Sequence, residues 1–358
     1  MTQLMKAFVM KEIGKVGLME KPVPQDPGPL DAVVKTTTAM VCTSDCHTVN
    51  GAVGQKYNQT LGHEGTGIVE KVGSAVKTIV PGDRVVVNAI TPCYTCHSCQ
   101  RGFTSQCGDI PLGGWKFANT KDGVFAEYFH VNRADANLTK IPYSISEEVA
   151  IYAADMMPTG FKCAENAYIP KGGIVAVFGV GPVGLMAVSA CRLMGAGLII
   201  AVDSVPQRLD FAIEYGADIV INFNETDPVE EISRITKGKG VASALECVGA
   251  GGSFSWCVEV TRPGGTISNS GYHGHGDLVP LPREAWGVGM ADKTITTLLC
   301  PGGKERMQRL LRLIEHDRVN PITLTTHHFN FDEINTAFKL METKEDNVIK
   351  PIIYFDEI

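Results

Sequence analysis

Ile174-Val175-Ala176-Val177-Phe178-Gly179-Val180-Gly181-Pro182-Val183-Gly184 sets the architecture of this chain. The first five residues form a continuous apolar run, the pattern of a strand buried on both faces. A G-x-G-x-x-G follows at once, and residues 185–195 then read as a helix. A glycine triplet alone is weak evidence. Between a strand and a helix it is what a pyrophosphate needs: a tight turn, a close backbone and a helix N-terminus facing the negative charge. Asp203 ends the next apolar run, residues 198–202, about twenty residues after the last glycine. A carboxylate there can accept hydrogen bonds from the adenosine ribose and repels a 2′-phosphate, which predicts NAD rather than NADP. Arg208 is the competing sign, a cation that a phosphate could use.

On the C-terminal side the same unit repeats. A strand at 218–222 follows a helix at 205–215, a strand at 242–247 follows a helix at 228–236, and residues 266–270 follow Pro263-Gly264-Gly265. This alternation predicts a parallel, doubly wound sheet with the dinucleotide across its carboxyl edge. On the N-terminal side the pattern changes to short β-like runs at 7–10 and 32–35 around Pro22, Pro24, Pro27 and Pro29. Residues 68–72 and 84–87 continue it across the turn Pro81-Gly82-Asp83. That part reads as a mostly β domain. Beyond Pro301, apolar residues at helical spacing (Met307, Leu310, Leu311, Ile314, then Ile334, Ala337, Phe338, Met341) predict core-facing helices at 304–318 and 331–341. At 358 residues, two domains is the natural expectation.

The mostly β part carries Cys42-Thr43-Ser44-Asp45-Cys46-His47 and Leu61-Gly62-His63-Glu64-Gly65-Thr66-Gly67. Thiolate and neutral imidazole are preferred ligands of zinc, so Cys42 and His63 are the first two candidate ligands, and a third from elsewhere would leave one position open. The glycines around His63 mark a bend or a close backbone approach. Cys46 could also coordinate, although nothing in its spacing requires it. Cys93, Cys96, Cys99 and Cys107 follow as C-x2-C-x2-C-x7-C. Four thiolates at that spacing can close a tetrahedral site with no position open, which predicts a structural metal in a lobe at 93–107. His97 lies inside the lobe and could replace one sulfur.

Composition narrows the function classes. The chain is 44% hydrophobic and 20% charged, an ordinary globular balance. A formal charge of −7, a pI near 5.7 and no basic run exclude nucleic acid as a partner. The longest apolar stretch, 174–190, is interrupted by Gly179, Gly181, Pro182 and Gly184, which excludes a membrane span there. No apolar leader is evident at the N-terminus, and the 11 cysteines in so long a chain suggest metal binding before disulfides. A cytoplasmic protein is expected.

Gly62-His63-Glu64-x-x-Gly67-x5-Gly73-x-x-Val76 resembles, position by position, the signature of the zinc-containing medium-chain alcohol dehydrogenases, and the resemblance extends over essentially the whole chain. It implies a GroES-like, mostly β catalytic domain at 1–157, a Rossmann cofactor domain at 158–299, and a return to the catalytic domain at 300–358. The family's third catalytic ligand falls on Asp155, a cysteine in the ethanol-type branch and an aspartate in the secondary-alcohol branch. Cysteine, histidine and aspartate together neutralise Zn²⁺, although Asp155 could also cap the segment that follows. The resemblance favours four cysteines in the lobe, hence two zinc ions per subunit.

The same likeness implies a proton relay through the Ser44 hydroxyl, the nicotinamide ribose and His47. Ser44 could instead cap a helix beginning near Asp45, and His47 could be a surface residue. Glu64 is implied as catalytic support or an occasional zinc ligand. Cofactor contacts fall on Thr159, Gly179, Gly181, Pro182, Val183, Gly184, Asp203 and Arg208. NADP users of the branch place glycine at the position of Asp203 with a Ser-Arg pair next to it, whereas this chain continues Ser204-Val205. A pocket of Ile90, Trp115, Leu299 and Cys300, with Met290 from a neighbouring subunit, resembles that of enzymes for small secondary alcohols and methyl ketones such as 2-propanol and acetone. The expected chemistry is Lewis-acid activation of the alcohol with hydride transfer to NAD in a homo-oligomer, tetramer or dimer. A polyol or broad primary alcohol dehydrogenase is the alternative on the same scaffold, and a zinc- and dinucleotide-binding protein without turnover is the third.

Overall fold

The computed structural model describes residues 3–274 and 276–355. The chain divides into two compact units, Met1–Pro158 with Cys300–Ile358, and Thr159–Leu299.

In the first unit β-branched and aromatic runs with small or kinked connections form two sheets. Leu4–Glu12 pairs antiparallel with Lys15–Pro22 and with Gln59–Thr60. The larger sheet runs in the order Thr325–Asn330, Lys350–Tyr354, Ala32–Met40, Gly65–Val72, Arg84–Val87, Leu138–Lys140, and Tyr128–Val131 also pairs with Ala32–Met40. The C-terminal strand Lys350–Tyr354 therefore lies in the interior of a sheet built mostly from the first 140 residues. Phe8, Phe125, Phe129 and Phe338 centre the core, with the Phe8 and Phe338 rings 5.5 Å apart. Phe338 belongs to the helix Ile334–Thr343, whose buried face is Ile334, Ala337, Phe338 and Met341. The helix Lys304–Glu315 buries Met307, Leu310, Leu311 and Ile314, so both terminal helices present the faces their periodicity predicts.

In the second unit all six strands are parallel. Their order is Ile219–Asn222, Leu198–Asp203, Ile174–Phe178, Val241–Glu246, Thr261–Asn269, Thr294–Thr297, a doubly wound arrangement whose direction reverses at Ile174–Phe178. Helices Pro182–Leu193, Pro206–Glu214, Pro228–Ile235 and Gly251–Val260 connect them. The first begins at Pro182 rather than at 185, because Gly181 is its N-cap and proline is pre-set for the first helical position. Gly184 sits so close to the preceding turn that a Cβ there would lie 1.9 Å from the Gly179 carbonyl oxygen. Only glycine lets this helix start against its strand.

Candidate active site

The helix Thr43–Val49 starts directly after Cys42, and its third residue, Asp45, turns its carboxylate back. Asp45 Oδ2 accepts the Cys42 N–H at 2.9 Å, and Oδ1 lies 3.1 Å from His63 Nδ1. One buried carboxylate thus fixes both the loop of Cys42 and the ring of His63. His63 enters from a turn at Gly62, where φ is +88° and the Phe125 ring occupies the space a Cβ would need. Nε2, the ring atom turned away from Asp45, lies 3.4 Å from Asp155 Oδ2 and 3.2 Å from Ser44 Oγ. Burial disfavours the charged imidazole, yet Asp45 and then Asp155 hold its pKa well above the ordinary value. Burial likewise opposes the Asp155 carboxylate, but His63 draws its pKa down to about 2. These groups are arranged to hold charge.

The ligand atoms of Cys42, His63, Glu64 and Asp155 all lie within 4.8 Å of one another. Thiolate, imidazole and carboxylate are the donors zinc takes, and Glu64 Oε2 is a buried oxygen with no hydrogen-bond partner. The set fits a zinc ion. Around it, Trp115 turns its edge toward the His63 ring at 6.5 Å, and the Cys300 thiol lies 3.9 Å from the Asp155 carbonyl oxygen. Ile90 is buried and packs beside Gly114. Ser44 lies inside the helix and not at its cap, so its hydroxyl is left to the site; His47, one turn on, is half-buried. Cys46 belongs to the apolar core, and burial pushes its thiol up to about 12. It is not a ligand in this arrangement.

Two members of the site have no counterpart in the sequence reading. Asp45 could have been noticed as a carboxylate one helical turn into a segment led by a ligand. Lys350 is a lone charge in the apolar run Val348-Ile349-Lys350-Pro351-Ile352-Ile353. It is fully buried, its Nζ is 2.8 Å from Glu64 Oε1, and burial together with this neighbour decides the charge of Glu64: burial raises its pKa and Lys350 opposes the rise.

The sulfurs of Cys93, Cys96, Cys99 and Cys107 also lie within 4.8 Å of one another. Backbone N–H groups point at them: Cys93 N–H to Cys107 Sγ at 3.2 Å, Cys96 N–H to Cys93 Sγ at 3.3 Å, and Gly108 N–H to Cys96 Sγ at 3.1 Å. Burial opposes ionisation of Cys93, but donors from Thr95 and Cys96 bring its thiol down to about 5, while burial and its sulfur neighbours push Cys99 up to about 12. Four thiolates so close can ionise together only around a cation, which is the chemistry of a closed zinc site. His97 is exposed and faces Asp109 at 3.8 Å. All four donors are sulfur.

The second unit carries the residues expected at the dinucleotide. Asp203 is buried at the end of its strand, where Oδ2 accepts the Val180 N–H at 2.9 Å and Oδ1 those of Ser204 and Val205 at 2.7 and 3.0 Å. The glycine turn and the acidic residue are therefore one hydrogen-bonded assembly. The Arg208 guanidinium lies 3.8 Å from Asp203 Oδ2 and is drawn to that carboxylate. Pro182 and Val183 open the helix, Thr159 is buried at the start of the unit, Leu299 is half-buried at its end, and Met290 is 79% exposed. Glu246 was also missed by the sequence reading; its buried carboxylate accepts the Val248 and Gly249 N–H groups and the Ser253 hydroxyl at the carboxyl edge of the sheet.

Comparison with known proteins adds the family. Residues 28–143 match the model of the alcohol dehydrogenase GroES-like domain, and residues 182–316 that of the zinc-binding dehydrogenases. The chain is 50% identical over 351 residues to the NADP-dependent isopropanol dehydrogenase of Thermoanaerobacter brockii, covering 98% of this chain and 99% of that protein. It is 45% identical to the enzyme of the same name from Entamoeba histolytica, over 99% of this chain and 97% of the other. Among solved structures, an alcohol dehydrogenase from Thermus sp. ATN1 superposes with a TM-score of 0.88 at 31% identity, covering 98% and 99% of the two chains.

Proposed function

We propose that this chain, which belongs to the zinc-containing medium-chain alcohol dehydrogenases, interconverts small secondary alcohols and their methyl ketones with NAD as its hydride carrier. The observation that carries the reading is a cysteine, histidine and aspartate donor set with Trp115 beside His63 and Cys300 beside Asp155. An apolar wall suits a short alkyl substituent and offers a polyol few hydrogen bonds, and the names of the relatives point the same way. Zinc held by Cys42, His63 and Asp155 supplies a Lewis acid for the alcohol or carbonyl oxygen, and bound NAD supplies the hydride acceptor. A zinc held by the lobe cysteines has a structural role.

The chain's own residues do the rest. Asp45 keeps the proton on His63 Nδ1 and so holds the ring in its ligating tautomer. Ser44 Oγ, 3.2 Å from His63 Nε2, accepts the alcohol's proton as it releases its own hydroxyl proton outward, in the direction of His47. Trp115 and Ile90 exclude water from the reacting atoms.

The cofactor preference rests on Asp203. Its buried negative charge disfavours a 2′-phosphate, and the nearby arginine is already engaged by it. These two relatives are named NADP-dependent, so the reading of Asp203 sets this chain apart from them. The test is the initial rate of reduced cofactor formation with 2-propanol and with ethanol at equal concentration, each with NAD and with NADP. Preference for 2-propanol and NAD is expected, and Asp203→Gly moves the cofactor ratio toward NADP by about tenfold, the loss of one charge contact. Preference for NADP in the unmutated protein sinks the Asp203 reading, and activity with ethanol alone sinks the pocket.

Assembly and location extend the proposal. Among the described residues the edge strand Thr294–Thr297 has a neighbour on one side only, and Leu278 and Met290 are 88% and 79% exposed, a surface suited to a second copy of the chain. A homo-oligomer, tetramer or dimer, is expected by light scattering. None of the 11 cysteines is paired in a disulfide, which suits a reducing cytoplasm. Among the described residues no helix is long and apolar enough to cross a membrane.

A further inference from the structure

Four cysteines of the second unit, Cys163, Cys191, Cys247 and Cys257, belong to neither candidate metal cluster. Two of them face each other. Cys163, on the helix Met156–Asn166, and Cys247, just past the strand Val241–Glu246, bring their sulfurs to 4.0 Å although 84 residues separate them in the chain. Hydroxyls flank the pair: Ser268 Oγ is 3.6 Å from Cys163 Sγ, and Ser270 Oγ is 3.3 Å from Cys247 Sγ. Burial opposes ionisation of Cys163, but hydrogen bonds with Cys247, Ser268 and Ser270 draw its thiol below the ordinary value. Cys163 is fully buried and Cys247 half-buried, so a small solute meets Cys247 first. A disulfide holds its sulfurs about 2 Å apart. Turning the two side chains, with a small backbone shift, can supply the remaining approach.

Cys247 also packs against the glycine turn. Its N–H donates to the Phe178 carbonyl oxygen at 2.9 Å, and a Cβ placed on Gly184 would lie 3.6 Å from the Cys247 Cβ. Val248 Cγ2, next in the chain, fills the space that a Cβ on Gly179 would need. Movement of Cys247 toward Cys163 therefore pulls on both ends of the turn.

We propose that Cys163 and Cys247 form a dithiol that a peroxide oxidises to a disulfide, and that this bond weakens dinucleotide binding through the glycine turn. The Cys247 sulfur attacks one peroxide oxygen, the O–O bond breaks, and the departing oxygen leaves with the thiol proton as water. The Cys163 sulfur then attacks the resulting S–OH: the S–S bond forms, the S–O bond breaks, and hydroxide leaves with the second thiol proton as water. The two thiols lose two electrons, and one hydrogen peroxide is reduced to two waters. The effect on binding rests on the dinucleotide reading of the turn, whereas the disulfide does not.

The test treats the full zinc-loaded chain with hydrogen peroxide, alkylates the remaining thiols and maps the peptides by mass spectrometry. The peptides of Cys163 and Cys247 should appear joined, two hydrogens lighter than their sum, and separate again with dithiothreitol. Binding of NADH and of NADPH, read by nicotinamide fluorescence, should weaken about tenfold on oxidation, a usual size for coupling between two sites, and recover on reduction. Cys163→Ser should leave Cys247 as a sulfenic acid that dimedone traps, and absence of that adduct overturns Cys247 as the first target. Cys247→Ser should bind dinucleotide equally before and after peroxide; if C247S does not accumulate, C247A is used in its place. Peptides that never join, or that join only in other pairings, overturn the disulfide. A joined wild type with unchanged affinity, or a Cys247 variant that weakens as much as the wild type, overturns the coupling. A wild type that binds neither NADH nor NADPH before treatment overturns the dinucleotide reading, and the peptide map then decides the disulfide by itself.

Discussion

The two candidate metal clusters of the first unit are built in opposite ways. The lobe takes all four donors from residues 93–107, and its own backbone N–H groups support the sulfurs. The other cluster takes Cys42 from a helix start, His63 from a turn before a strand and Asp155 from the turn just before the helix Met156–Asn166, with Lys350 reaching in from the last strand. A local, all-sulfur set exhausts a tetrahedral ion and can only hold structure. A dispersed, mixed set leaves a spare carboxylate oxygen and room for a reactant, but it exists only once the whole unit has folded. The first should govern stability and the second turnover.

The strongest test of that division is His63→Ala. It should remove one of two metals and lower kcat by about a thousandfold, the several kcal/mol a Lewis acid supplies, with little change in thermal midpoint. A collapse of the midpoint would mean that both clusters hold the fold. Cys107→Ser is its converse: metal analysis should again find one ion lost, but stability to urea should fall by about 3 kcal/mol or more. Ser44→Ala should keep both metals and lose turnover by about a hundredfold, the scale of a proton-transfer group. Unchanged turnover would place the proton path elsewhere. Asp45→Asn should weaken only the catalytic metal, by about tenfold in chelator competition, because the amide no longer fixes the His63 tautomer.

Legibility followed the same local and dispersed division. The lobe, the glycine turn and Asp203 could be read because each is a short spacing whose chemistry is self-contained, and the strand Ile174–Phe178 begins and ends where its apolar run does. Asp155 was reached only through the family resemblance, since nothing in its neighbourhood marks it as a ligand. Asp45 and Lys350 were not reached at all. Asp45 looks like an ordinary first-turn carboxylate, and its role follows from a ring that arrives from another segment. The helix starts moved by a few residues for a simpler reason: Cys42 and Gly181 act as N-caps, so the helices begin at Thr43 and Pro182 and leave Ser44 pointing into the site.

From residue order alone follow the two-domain plan, the glycine turn after the buried strand, the four-sulfur lobe and the first two candidate ligands. All are periodicities or spacings within a few turns of chain. Sheet pairing then places Lys350–Tyr354 beside Ala32–Met40, and only that long-range register carries the lysine to Glu64. The charge state of the buried cluster belongs to the fold for the same reason: desolvation and neighbouring charges act through space, between residues that the sequence keeps far apart.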